Sequence, residues 1–116
     1  MRTILNLLMF VCGALYMQAQ NVEPRFEAEG DLVKATYFHD NGQVAQVGQL
    51  LKGKLHGEWI MYDAEGKKLA IGQYQHGIRT GKWFFWKGDL LQEVDFSDNR
   101  IVSVVQWING EPIAVN

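Results

Sequence analysis

Three histidines, His39, His56 and His76, are the side chains of this 116-residue chain best suited to proton transfer or metal binding near neutral pH. Their spacing matches neither His-x-His nor His-Glu-x-x-His, the patterns that place two imidazoles on one metal ion. Each lies close to a glycine or an Asn-Gly pair, which are typical of turns. We therefore expect solvated turn histidines, and the sequence predicts neither a metal nor a cofactor.

Two pairs of carboxylates are candidates for acid–base catalysis or metal binding. Glu93 and Asp95 are two residues apart in a predicted strand and so would point to one face, as paired general acids and bases do. Glycosidases hold such a pair in a deep cleft, which a chain this short can hardly build, so we interpret both as solvated carboxylates. Asp63 and Glu65, ahead of Gly66, match a fragment of a calcium loop whose remaining ligands are missing. A turn explains these two residues without a metal.

An enzymatic alternative has to draw on His56, Glu58 and Asp63, which could belong to a small hydrolase or transferase of the cell envelope. The segment KLHGE contains one His-Gly pair, whereas a nucleotidyltransferase needs two histidines on a phosphate-binding loop that opens a helix. No helix is predicted there, so a nicotinate-nucleotide adenylyltransferase is not supported. Ser97 and Ser103 stand outside any nucleophile-elbow motif. We expect no catalytic residue, with the envelope enzyme as the alternative.

The segment from Met1 to Ala19 has the pattern of a secretory signal peptide: a basic Arg2, an apolar run from Ile4 to Tyr16, and a polar, small-residue end. We predict cleavage between Ala19 and Gln20, and a secreted or periplasmic protein; retention as an uncleaved anchor is the alternative. The single cysteine, Cys12, lies inside this leader. A mature chain without cysteine excludes disulfides, thiol catalysis and cysteine-ligated zinc.

The charge of the chain says what kind of partner to expect. The formal net charge is −2, with 11 basic and 13 acidic residues, so there is no basic footprint for nucleic acid. Partners should be recognised by shape and apolar contact, which leaves an unknown protein, a second copy of the chain, or an envelope surface.

A repeated unit positions these side chains. Sliding the sequence against itself until Gly57 meets Gly81, a shift of 24, aligns four pairs of glycines, which marks a repeat architecture. The pairs are Gly42 with Gly66, Gly48 with Gly72, Gly53 with Gly77, and Gly57 with Gly81. The same shift aligns Trp59 with Trp83, Leu50 with Tyr74, and Phe38 with Tyr62 and Trp86. A third unit has a shorter first turn and carries Asn99 where Gly77 stood; a half-unit surrounds Phe26.

Each unit is predicted to be a β-hairpin, because its apolar clusters are short, rich in β-branched and aromatic residues, and bounded by glycine turns. Asn41-Gly42 and Asn109-Gly110 are two-residue hairpin signals. The predicted strands are 24–28, 33–38, 44–51, 58–62, 68–75, 82–86, 90–97, 101–107 and 111–115. Gly48 and Gly72 fall inside strands, which indicates either an aromatic ring lying across the bare backbone or a bulge.

These residues resemble the MORN repeat and its bacterial variant, the YwqK-type antitoxin family. The beat G-x-Y-x-x-G-x-x-x-G-x-W reads GQYQHGIRTGKW from Gly72 to Trp83, and GQLLKGKLHGEW from Gly48 to Trp59. The resemblance implies an all-β stack of hairpins used for protein or membrane contact. It also implies a toxin partner, but a leader fits badly with neutralising a cytoplasmic toxin. The domains expected are 1–19, a signal peptide; 20–32, a linker and half-repeat; and 33–116, the repeat domain.

The aromatic residues divide between the two faces of the predicted antiparallel meander. In GKWFFW, Trp83 and Phe85 point one way while Phe84 and Trp86 point the other. Either the single sheet curls and encloses one face, or one face meets a partner or a second copy. The candidate contact surface is Phe38, Tyr62, Phe84 and Trp86; Trp59, Trp83 and Tyr74, with the repeated glycines, are structural candidates. The expected function is an interaction scaffold without catalysis.

Overall fold

The computed structural model describes residues 22–113, which form one open sheet of nine antiparallel strands in sequence order. The strands are β1 (Arg25–Glu29), β2 (Leu32–Phe38), β3 (Val44–Leu51), β4 (Lys54–Tyr62), β5 (Lys68–Gln75), β6 (Ile78–Lys87), β7 (Leu90–Ser97), β8 (Arg100–Ile108) and β9 (Glu111–Ile113). The predicted all-β meander is confirmed. Within residues 22–113, no helix is long and apolar enough to cross a membrane.

The predicted boundaries hold for most strands and are wrong for two. Strands 58–62 and 82–86 begin four residues earlier than predicted, at Lys54 and Ile78. Gly57 and Gly81 do not end a turn; they have φ of +73° and +67° inside continuous strands, where they bend the chain without stopping the pairing. The segment 20–32 supplies β1 and the first residue of β2. The predicted leader, its cleavage site and residues 114–116 lie outside the described residues.

Two-residue turns join β1 to β2, β3 to β4, β5 to β6 and β7 to β8 at one end of the strands. Lys52-Gly53 and His76-Gly77 have positive φ at both residues (51° and 80°, 51° and 83°), as type I′ hairpin turns require. Asp98-Asn99 repeats this geometry with φ of 51° and 66°, so Asn99 does occupy the position of Gly77. The turn predicted at Asn109-Gly110 is also present, between β8 and β9 at the opposite end of the strands.

Wider loops join β2 to β3 and β4 to β5 at the other end of the strands, where β6 and β7 are joined by a two-residue turn. The two-residue turn predicted at Asn41-Gly42 is wrong, because the loop runs from His39 to Gln43 and is closed by His39 N–H donating to the Gln43 carbonyl (2.8 Å). Asp63 N–H donates to the Lys67 carbonyl at the same distance, one repeat later. The loop side chain Asn41 donates to the carbonyl of Ala64 (2.8 Å), which ties successive loops together. The repeat is therefore preserved in the backbone as well as in the sequence.

The core lies on one side of the sheet, here called the tryptophan face. Within residues 22–113, the six buried hydrophobic residues all point to it: Ala35, Trp59, Ala70, Trp83, Val94 and Phe96. Trp59 is 2% and Trp83 is 3% exposed. A chain of rings connects them, with Tyr74 between the two indoles at centroid distances of 6.3 Å and 5.0 Å. Neighbouring side chains of one layer thus bury each other.

Each interior glycine lies beneath a tryptophan of the following strand. A Cβ built on Gly48 would overlap the indole of Trp59, and one built on Gly72 would overlap that of Trp83. Both indole N–H groups donate to strand carbonyls at 3.1 Å, Trp59 to Gln49 and Trp83 to Gln73. The prediction that an aromatic ring lies across the glycine backbone is confirmed.

The bulge considered as the alternative is present as well, on the facing strand. Val47 pairs with Ile60 and Gln49 pairs with His56, so three residues of β4 face Gly48 alone. The same irregularity recurs between β5 and β6, around Gly72. The extra residues of the bulge give the tryptophan the reach to fold across the glycine, so the two interpretations describe one structure.

Candidate interaction surface

The side of the sheet opposite the tryptophans, here called the second face, carries three rows of side chains that run across the strands. Cross-strand pairing defines a central row of Thr36, Val47, Ile60, Ile71, Phe84, Glu93 and Val105. An aromatic row beside the wide loops contains Phe38, Tyr62, Trp86, Leu91 and Trp107. A polar row beside the tight turns contains Glu27, Lys34, Gln49, His56, Glu58, Gln73, Thr80, Lys82, Asp95 and Ser103.

The alternation of a β-strand produces these rows from the repeat. Residues two apart share a face, so Ile60 and Tyr62 of β4 stand beside one another, as do Phe84 and Trp86 of β6. Because one repeat unit contains two strands, each position of the unit recurs on every second strand. A pattern that is local in sequence thus becomes a continuous surface perpendicular to the strands.

The apolar side chains of the second face are more exposed to solvent than those at the core of the tryptophan face. In the central and aromatic rows, every side chain is half-buried except Thr36, which is 8% exposed. Phe84 and Trp86 stack on each other, with centroids 6.2 Å apart and planes 28° apart. Large aromatic rings that keep part of their surface in water are typical of contact surfaces. The four residues predicted to make contact, Phe38, Tyr62, Phe84 and Trp86, all lie here.

A groove of about 480 Å³ crosses the second face over β1 to β4. Its floor includes Thr36, Val44 and Val47, and Phe38 and Tyr62 line it from the aromatic row. The Arg25 guanidinium at its rim lies 5.6 Å from the centroid of the Phe38 ring. A second groove of about 440 Å³ adjoins it and is lined by residues of the central and polar rows. The amino-terminal half of the second face is therefore concave.

Two charged residues of the polar row, Glu58 and Lys82, lie within the bulges. Glu58 and Lys82 come directly after Gly57 and Gly81, so they occupy the same position of successive units with opposite charge. Lys82 forms an ion pair with Glu93, with Nζ 3.6 Å from Oε1. Glu93 and Asp95 do share one face, as predicted. The ion pair with Lys82 gives the Glu93 carboxylate a structural role.

The histidines hold turns and strands together. The His39 Nε2–H donates to the Tyr62 carbonyl (2.8 Å), which requires the proton on Nε2. The turn position predicted for His56 is wrong, because His56 lies within β4, which begins at Lys54. Its Nδ1 accepts the backbone N–H of His76 at 3.4 Å, and the two rings are 5.2 Å apart. Sequence reasoning missed this contact, because the two residues belong to different units of the repeat.

Of the residues named for the enzymatic alternative, His56 and Glu58 lie together in the polar row of the second face, whereas Asp63 lies in the loop after β4. His56 and Asp63 are seven residues apart along extended chain, which is about 24 Å. The Asp63 carboxylate accepts the backbone N–H groups of Glu65 and Lys67, each at 2.9 Å, as the turn interpretation of Asp63 and Glu65 predicts. Within residues 22–113, no group of three or more His, Cys, Asp or Glu side chains is placed to hold a metal ion.

No protein-family model matches this sequence, and a search of curated proteins finds no match. The resemblance to MORN repeats therefore rests on the spacing of glycine and aromatic residues alone.

Sequence reasoning named four residues of the second face and missed several that complete its rows. Ile71, Leu91 and Trp107 belong to them because pairing extends the rows across β5, β7 and β8. Continuing the period-2 alternation from Phe84 into the neighbouring strands would have found them.

Proposed function

We propose that this protein is a secreted or periplasmic MORN-like repeat module that acts by binding a protein partner, with the second face as its contact surface. The observation that carries the proposal is the unequal burial of the two faces. The tryptophan face supplies the buried hydrophobic residues, whereas the second face leaves a continuous set of aliphatic and aromatic side chains half-exposed.

The composition of the second face supports protein recognition. Interfaces are enriched in Tyr, Trp and Phe, and a few such anchors provide most of the binding energy. The aromatic row offers Phe38, Tyr62, Trp86 and Trp107 on alternate strands, with Phe84 stacked beside Trp86. Around them lie aliphatic side chains and a rim of mixed charge, which is the anatomy of a standard interface.

The rigidity of the sheet also favours binding. Each strand is hydrogen-bonded to its sequence neighbours, and the indole N–H bonds repeat from one unit to the next. Side chains fixed on such a scaffold lose little freedom when a partner docks. The envelope location depends on the predicted leader, and no toxin partner is proposed.

The test is capture of partners from envelope extract by the wild-type protein and by two variants. Phe84→Ala/Trp86→Ala removes the stacked pair from the second face. Phe26→Ala is the matched control, because Phe26 is 56% exposed and pairs with Ala35 on the tryptophan face. We expect one stoichiometric protein to bind the wild type and the control, and to be lost with the double variant.

Two results would count against the proposal. Equal capture by all three proteins would mean that the second face is not the contact surface. Turnover of a small molecule that is lost in His56→Ala would favour the envelope enzyme.

A further inference from the structure

The two halves of the second face have complementary shapes. The half formed by β1 to β4 is grooved, with small or medium side chains Thr36, Val47 and Ile60 in its central row. The half formed by β6 to β8 carries the larger side chains Phe84, Trp86 and Trp107. A groove at one end and projecting rings at the other are what a surface needs to pack against a copy of itself.

We propose, building on the proposed contact role of the second face, that its partner is a second copy of this chain, packed face to face about a two-fold axis along β5. β5 is the middle strand of the nine. A two-fold axis parallel to it places β4 over β6 of the second copy, and β2 over β8. The same axis places each row over the equivalent row of the second copy, so that the two aromatic rows face each other.

This arrangement pairs smaller residues with larger ones in the central row, and rings with rings in the aromatic row. Ile71 lies on the axis and meets its own copy. On either side, Ile60 faces the second copy's Phe84, and Tyr62 faces the second copy's Trp86. An axis perpendicular to the strands would instead place the polar row over the aromatic row and bury charges against rings.

The charges agree with the same axis. Glu58 on β4 and Lys82 on β6 are equidistant from β5, so each Glu58 faces the Lys82 of the second copy. The central row contains one carboxylate, Glu93, which already lies 3.6 Å from Lys82 of its own chain. Glu58, Lys82 and Glu93 then alternate in sign across the interface, and like charges are not brought together.

The available area suits a stable dimer. At about 4.8 Å between strands and about 3.4 Å per residue, the central, aromatic and polar rows together cover about 35 Å by about 20 Å, or about 700 Å² of each copy. A standard interface buries roughly 800 Å² per partner. Two sheets packed face to face lie about 10 Å apart, which leaves room for interdigitated side chains.

The experiment is sedimentation equilibrium of the purified protein and two arginine variants. We expect a dimer for the wild type, and a monomer for Ile71→Arg, since the axis would place two arginines against each other. Gln92→Arg is the control, because Gln92 is half-buried on the tryptophan face, where it pairs with Phe85, and this variant should remain dimeric. Circular dichroism checks that both variants keep the sheet. The expected loss for Ile71→Arg is about tenfold or more in dimer affinity.

A second measurement does not depend on a disruptive substitution. In a Cys12→Ala background, Ile71→Cys should be joined into a covalent dimer by a short bis-maleimide, because two facing sheets lie about 10 Å apart, too far for a direct disulfide, whereas Gln92→Cys should not. A monomeric wild type at micromolar concentrations, or equal cross-linking of both cysteine variants, would overturn the two-fold assembly. A monomer that still captures an envelope protein through Phe84 and Trp86 would leave the proposed binding function standing.

Discussion

The indole of Trp83 lies flat across the backbone of Gly72 on the neighbouring strand, so that even a methyl group at position 72 would overlap the ring. The same contact joins Trp59 to Gly48 one unit earlier. The repeated glycine is therefore required by the repeated tryptophan, and the two positions form one packing unit.

Gly72→Ala should destabilise the protein by about 1 to 3 kcal/mol, because the added Cβ must displace a buried indole or the strand beneath it. Gln73→Ala, one residue further along β5 and pointing to the second face, is the control and should change stability by less. Urea unfolding followed by tryptophan fluorescence measures both. Equal midpoints for the two variants would show that the indole moves aside without cost.

Trp83→Ala should lower the free energy of unfolding by about 3 to 5 kcal/mol, because it leaves a cavity in the core formed with Val94 and Phe96. Trp86→Ala removes a half-buried ring from the second face and should leave the fold largely intact while weakening association. Thermal melts and sedimentation of the two variants make the comparison. If Trp86→Ala unfolds the chain and Trp83→Ala does not, the roles of the two faces are reversed.

Gly77→Val should cost about 1 kcal/mol or more, because Gly77 has φ of +83°, where a β-branched residue is strained. A Cβ at this position would have the Lys54 side chain as its nearest neighbour, at 3.8 Å, so conformation and not crowding causes the loss. Gln75→Val, at the exposed end of β5, is the control. Matching melting temperatures would contradict the role given to the turn.

The exported protein should begin near Gln20, because the segment from Met1 to Ala19 has the pattern of a signal peptide. Mass spectrometry of the protein recovered from the medium or periplasm determines its first residue. A Leu7→Arg variant, which interrupts the apolar run, serves as a control and should accumulate with its leader intact. Recovery of wild-type protein that still starts at Met1, in the membrane fraction, would favour the anchor.

Much of the fold could be predicted because its signals are local. Glycines at fixed intervals mark turns, and short clusters of aromatic and β-branched residues mark strands, so the sequence predicts all nine strands in the observed order. The start of β4 is misjudged because Gly57 has the positive φ of a turn residue while remaining in a paired strand. A bulge and a turn require the same residue type, and only the facing strand distinguishes them.

The sequence by itself determined the period of the repeat, the hairpin meander, and the division of Trp83 and Trp86 between opposite faces, since turn chemistry and strand alternation depend on nearby residues. Tertiary structure decided how deeply each face is buried, how the bulges lay Trp59 and Trp83 across the glycines, and which rows join across β5, β7 and β8. It also brought His56 of one unit against His76 of the next. These features depend on the register between strands and on how the rings of one layer pack against each other, and both are set by contacts between different repeat units.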